Sequence, residues 1–237
     1  MPAAQPLDIA AAFKFLRGLK KNNDRTWFEG HREPYDTVLK PGFEDLVAGL
    51  LIAAAKFDER FALVEPRRCL FRIYRDIRFS NDKTPYKTRL SAFLSPHGWR
   101  GSTPGFYVAL EPGGESIIAA GIYVPEKPVL ADLRRRFAEG DAAFERLLRS
   151  KRFAGYLPIA TDPLVRMPAG YDRDHPRGEF IRARRYMVSR AYADTELTRG
   201  DAFGLFSTAI RDTAPFVRWL DASLERSGEP PDDRFEE

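Results

Sequence analysis

Cysteine is almost missing. Cys69 is the only one in 237 residues, so no intrachain disulfide can form. Its neighbours Leu70 and Phe71 are apolar, which makes it read as a small buried hydrophobe and not as a reactive thiol. Histidine is scarce as well: His31, His97 and His175 stand far apart, and with Cys69 as the sole thiolate they spell no zinc site. No metal is therefore expected. No apolar run approaches the roughly 20 residues that span a bilayer, so no membrane partner is expected. The first residues lack a basic stretch followed by an apolar segment and a cleavage site, which leaves the cytoplasm as the expected location. Internal repeats, a phosphate loop and a nucleophile–base–acid triad are also missing. Neither charge sign dominates: 38 Lys and Arg face 34 Asp and Glu, a net of +4, too small a surplus to mark a nucleic-acid binder. With 43% hydrophobic and 30% charged residues, the composition is that of an ordinary folded protein.

The apolar pattern gives the elements. Asp8 caps a helix over about 9–19, with Phe13, Leu16 and Leu19 as its buried stripe. A polar turn at 20–24 precedes a second helix from Arg25, in which Pro34 predicts a kink or a break. Pro41 fits the first turn of a third helix over 41–56. Beyond Phe61 the period changes to two. Residues 69–79 read as a strand, with Cys69, Phe71, Ile73, Arg75, Ile77 and Phe79 on one face and Leu70, Arg72, Tyr74, Asp76 and Arg78 on the other. Further strands are expected over 88–95, 105–110 and 116–124, and short ones near 162–167 and 184–189. Helices return after Pro128, over 142–150 with Asp141 as cap, from Asp194 or Thr195, and over 202–224. The expected class is α+β: one domain over 9–225, a mainly antiparallel or mixed sheet packed with N-terminal and C-terminal helices, and flexible termini at 1–8 and 227–237.

Charge is unevenly placed. Between Arg67 and Arg89 eight basic residues face only Asp76 and Asp82, a surplus of +6, while the last thirteen residues carry −4. On the strand reading Arg72, Tyr74, Asp76 and Arg78 form a polar ladder, and the turn that follows adds Lys83 and Lys87. Arginine forks suit phosphate or carboxylate, and a carboxylate between two arginines orients them. Together these residues can form a cationic site for a small anion; an internal Arg–Asp network that needs no ligand explains them nearly as well. Arg75 falls on the apolar face and must find a carboxylate such as Glu29 or Glu33, a bulge that shifts the register, or a ligand.

Several segments together resemble the DUF2461 family of conserved proteins of unknown function. They are Asn23-Asp-Arg-Thr-Trp-Phe28, Leu70-Phe-Arg-Ile-Tyr-Arg-Asp-Ile-Arg-Phe-Ser80, Asp82-Lys-Thr-Pro-Tyr-Lys87, Gly105-Phe-Tyr107, Gly121-Ile-Tyr-Val-Pro-Glu126 and Gly170-Tyr-Asp-Arg-Asp-His-Pro176. The resemblance spans about residues 9–225. It implies one soluble domain of mixed helix and sheet, and it carries no activity.

Three candidate acid–base residues remain: Asp76, Glu126 and His175. Glu126 follows a strand and can meet the arginines or a lysine. In Asp172-Arg-Asp-His-Pro176 a carboxylate can fix the His175 tautomer for proton transfer; a tight turn held by the aspartates is the simpler account. Gly121 in an apolar strand signals a close neighbour, a bulge or a ligand. Tyr74, Tyr86, Tyr107 and Tyr123 serve packing or line the basic site. Three functions stay open. The first is binding of a small phosphate- or carboxylate-bearing ligand by Arg72, Tyr74, Arg75, Arg78, Lys83 and Lys87. The second is an enzyme, a hydrolase or transferase, acting on a phosphorylated substrate through Asp76, Glu126 or His175. The third, and weakest, is nucleic-acid binding. No cofactor, substrate or oligomeric state can be named from the residues.

Overall fold

The structure is a computed structural model and describes residues 7–78, 81–98 and 101–227. The flexible termini expected over 1–8 and 227–237 fall mostly outside these residues. The class is α+β, with helices at both ends of the chain and a small antiparallel sheet between them in sequence. Contacts group the chain into two compact units. One comprises Met1–Leu94, Tyr107–Ile118 and Ala191–Thr208; the other comprises Ser95–Phe106, Ala119–Arg190 and Ala209–Glu237.

The first unit opens with helix α1 (Ile9–Lys21), whose first turn is closed by the Asp8 carboxylate accepting from the Ala11 N–H. Its stripe of Phe13, Leu16 and Leu19 is fully buried. Asp24 caps α2 (Arg25–Gly30) in the same way. The break expected near Pro34 is real: α3 (Arg32–Pro34) runs into a π-helical turn over Tyr35–Leu39, closed by the Lys40 N–H on the Tyr35 carbonyl. Helix α4 (Lys40–Ala55) follows with Pro41 in its first turn, where a missing N–H interrupts the i−4 ladder and the wider turn absorbs the gap. A 3₁₀ turn (Glu59–Leu63) and a short helix α5 (Pro66–Cys69) lead into the basic segment. Cys69 is buried, and burial pushes its thiol up to about 12, so it acts as a packing residue.

Four strands, β1 (Leu90–Leu94), β2 (Gly105–Leu110), β3 (Ser116–Ile122) and β4 (Tyr186–Tyr192), pair in the order β1-β2-β3-β4. The strand expected near 162–167 does not form. Asp162 has φ +44, a left-handed conformation that no strand accommodates, and pairing stops at the single bridge between Ala160 and Met187.

The second unit holds α6 (Lys127–Glu139), α7 (Ala142–Leu148), α8 (Lys151–Ala154) and α9 (Gly178–Arg182); in its aromatic core Phe137 of α6 lies 4.9 Å from Phe144 of α7, 5.1 Å from Phe180 of α9 and 5.4 Å from Trp219, further along the chain. Gly121 at φ +138 answers the sequence question with a close neighbour, because a Cβ there would fall on the Tyr186 carbonyl oxygen. Helix α10 (Asp194–Arg199) and the long α11 (Ala202–Ser227) are the last elements among the described residues.

Candidate anion site

The basic segment folds back on itself but is not a regular strand. Leu70 bridges to Ala92 and Tyr74 to Tyr86. The Phe71 N–H bonds to the Ser91 carbonyl at 2.9 Å, the Lys87 N–H to the Ile73 carbonyl at 2.7 Å, and the Arg75 N–H to the Pro85 carbonyl at 2.9 Å. The ladder goes no further for two reasons. Pro85 has no N–H to return to Arg75. Beyond it, the Asp76 carboxylate accepts the Arg78 N–H at 3.0 Å and turns the chain. The strand expected over 69–79 is thus replaced by a short helix ending at Cys69 and two isolated bridges. Phe79 lies outside the described residues.

The polar ladder dissolves with it. Arg78 folds onto Asp76, two residues away, with contacts of 3.1 and 2.9 Å. Those bonds hold the Asp76 carboxyl well below the usual range, at about 2, so it stays ionised and is spent on one arginine. Tyr74 keeps its ring among Phe28 and Tyr86, and its hydroxyl accepts from Arg32 at 3.0 Å. Arg32 in turn pairs with Glu29 at 2.6 Å, so Glu29 is not the partner of Arg75. Arg75 finds Asp82 on the following turn instead, while its Nε is buried without a partner. Asp82 also accepts the Thr84 N–H at 2.9 Å and the Thr84 hydroxyl at 2.8 Å, and these two bonds lead in holding its carboxyl down. The Lys83 ammonium donates to the Ile77 carbonyl at 3.0 Å.

Lys87 differs from all of these. It is half-buried, its ammonium donates to the Arg72 carbonyl at 2.9 Å, and it lies 5.2 Å over the Phe71 ring, which meets Tyr107 edge-on at 5.9 Å. Among the described residues no carboxylate bonds to it. Burial, then Arg89, Arg72 and Arg75, hold its pKa below the ordinary lysine value. The guanidinium of Arg72 is exposed and likewise has no partner among the described residues. Arg75 is matched by Asp82, and Arg89 faces Glu111 at 3.4 Å, where Thr88 also donates at 2.7 Å.

Asn23 fixes the backbone that carries Lys87. Its amide donates to the Tyr86 carbonyl at 3.0 Å, and its oxygen accepts the Tyr86 N–H at 3.1 Å. Tyr74 and Tyr86 are a non-hydrogen-bonded pair, so both polar groups of Tyr86 point away from Tyr74 and onto this side chain. Neither Asn23 as the anchor of Tyr86, nor Asp82 as the Arg75 partner, nor Glu111 as the Arg89 partner was expected from the sequence; Asn23 stood out only within a motif segment, and Asp82 as one of two acids in the basic run.

With that geometry in view, the sequence profile of the conserved hypothetical proteins DUF2461 matches residues 11–219. The chain belongs to the DUF2461 family. No curated protein and no solved structure matches it. In this DUF2461 chain the two other acid–base candidates lie in the second unit. Glu126 is the residue before α6, with its carbonyl accepting the Leu130 N–H at 2.8 Å. His175 accepts the Arg177 N–H on Nδ1 at 3.0 Å, which leaves Nε2 as a donor toward the Ala138 carbonyl at 3.3 Å. Backbone groups therefore set its tautomer, and not Asp172 or Asp174; Asp172 instead accepts the Asp174 N–H at 3.1 Å and holds the turn. His97 proves to be the histidine with a carboxylate, its Nε2 lying 2.5 Å from Asp221 of α11, a contact across 124 residues that no local pattern signals. Among the described residues no group of three metal-ligating side chains forms, and no helix is long and apolar enough to cross a membrane.

Proposed function

We propose that this chain binds a small anionic molecule at Lys87 and Arg72, with Arg75 and Arg89 as flanking positive charge. The observation that carries this reading is the half-buried Lys87 ammonium, set among arginines and held by a carbonyl instead of a carboxylate. A cation in that position is costly to keep and does no pairing within the described fold. An anion entering beside it would relieve the repulsion and gain charge-assisted hydrogen bonds. The geometry narrows the expected set: Arg78 and Lys83 are turned to Asp76 and the Ile77 carbonyl, and Tyr74 to Arg32.

Thermal unfolding at constant ionic strength tests the reading. Phosphate, sulfate or acetate replacing chloride should raise the midpoint, by the mass-action stabilisation of a bound ligand. Lys87→Met keeps the stem over Phe71, removes the charge, and should abolish the rise. An unchanged midpoint with all three anions, or an equal rise in Lys87→Met, would refute the proposal.

A further inference from the structure

We infer that the Lys87 amine is a nucleophile that condenses with the carbonyl of a small anionic aldehyde or ketone. The charge of that compound rests on the anion reading above; the chemistry rests on the surroundings of Lys87 alone. Its side chain is half-buried, with the amine 5.2 Å over the Phe71 ring and donating to the Arg72 carbonyl at 2.9 Å. A carboxylate partner would pin the charged form and block attack, and among the described residues none bonds to it. A carbonyl accepts one N–H from the neutral amine just as from the ammonium, and it leaves the nitrogen lone pair free. The ring covers one side of the amine and brings no counter-charge. Burial, helped by neighbouring arginines, also keeps the amine below the ordinary lysine pKa, which enlarges the neutral fraction that can attack. Lys83 sets the contrast. It too donates to a carbonyl, that of Ile77 at 3.0 Å, in the same basic run, but it is exposed, and water stabilises its ammonium. In the net step, ammonium and carbonyl give a protonated imine and one water. A C–N double bond forms, the C–O bond breaks, and the oxygen leaves with two protons that the nitrogen gives up. No oxidant or reductant takes part, and the nitrogen keeps its positive charge and one N–H.

Reductive trapping with sodium cyanoborohydride at neutral pH, read by mass spectrometry of the digested chain, tests this with glyoxylate as the anionic probe and acetaldehyde as the neutral one. Glyoxylate should label Lys87 about fivefold faster than Lys83, or more. Normalising to Lys83 removes the intrinsic reactivity of each probe, and the Lys87-to-Lys83 ratio should be about twofold or more higher with glyoxylate than with acetaldehyde. The preference for Lys87 should vanish in urea that unfolds the chain. Labelling of Lys87 no faster than Lys83 with both probes, or a preference that survives unfolding, overturns the nucleophile and leaves anion binding to stand on the unfolding midpoints. Selective labelling of Lys87 at equal ratios for the two probes keeps the amine chemistry, and overturns the anionic class of the compound together with the anion reading.

Discussion

Asn23 offers the sharpest test of how the site is held. Its side chain makes two hydrogen bonds to the main chain of Tyr86, a residue only 2% exposed. Asn23→Ala leaves a buried N–H and a buried carbonyl without partners. Each orphan costs about 1–3 kcal/mol where water cannot reach it. Partial access through the gap left by the amide puts the total near the lower end, about 3 kcal/mol. For a chain of this length that corresponds to a fall in melting temperature of about 6–12 °C. Asn23→Asp is the more discriminating change. It keeps the acceptor for the Tyr86 N–H but sets a carboxylate oxygen against the Tyr86 carbonyl, so it should cost at least as much as alanine. Urea unfolding gives the free energies, and hydrogen exchange at the Tyr86 amide gives the local effect. The amide should lose protection in Asn23→Ala and keep more of it in Asn23→Asp. An Asn23→Asp protein within about 0.5 kcal/mol of wild type, well inside the loss expected for a buried orphan, would refute the argument. So would unchanged Tyr86 exchange in Asn23→Ala.

Other substitutions probe the rest of the fold. The Asp194 carboxylate accepts the Gly113 N–H at 3.0 Å and the Gly114 N–H at 2.9 Å, and pairs with Arg17 at 2.5 Å. Because the glycines and Arg17 are exposed, Asp194→Ala should cost only about 2 kcal/mol in urea unfolding. Burial alone would raise the Asp194 pKa, but these bonds win and hold it below the ordinary value. Its contribution is therefore complete above about pH 4 and is lost as pH falls through the lower folded-state value, so stability in the acid limb should flatten in Asp194→Ala. Gly121→Ala should cost about 3 kcal/mol or more, because the added methyl meets the Tyr186 carbonyl at a φ of +138; a loss under about 1 kcal/mol would show that the sheet yields there. Arg136 is 10% exposed, bonds Asp141, the Trp219 carbonyl and Ser223 at 2.7–2.8 Å, and stacks 3.9 Å over Trp219. Arg136→Met should cost about 3 kcal/mol by leaving the half-buried Asp141, still bonded to the Ala143 and Phe144 N–H groups, without its cation, and Trp219 fluorescence should report the loosened core.

The longer helices were legible because their signals are local; the short ones at Pro66–Cys69, Lys151–Ala154 and Gly178–Arg182 were not expected. Asp8, Asp24 and Asp141 each accept from an N–H two or three residues on, and Phe13, Leu16 and Leu19 repeat at helical spacing. Strands β2 and β3 were legible from short apolar runs bounded by glycine turns. The basic segment was not, even though its alternation from Cys69 to Phe79 is the best in the chain. Alternation describes one strand, whereas pairing needs two, and the partner presents Pro85 where a donor is required. Around the candidate site, the partners of individual residues differ from those expected. Parity placed Asp76 between Arg72 and Arg78 on one ladder; the observed Asp76 turn gives all of that carboxylate to Arg78. Arg75 was correctly marked as needing an acid, and the acid came from seven residues away instead of from the N-terminal helices. Lys87 gained its distinct character only from burial, which a basic run conceals.

The Asn23 amide has one more effect. A main-chain N–H and C=O turned outward from a paired segment are what an incoming β-strand recognises. By occupying both groups of Tyr86, a single side chain stands in for a neighbouring strand and leaves no open hydrogen-bonding edge at that residue. Removing it should do more than loosen the turn: it should create a sticky margin, and self-association of Asn23→Ala at high concentration is the expected sign.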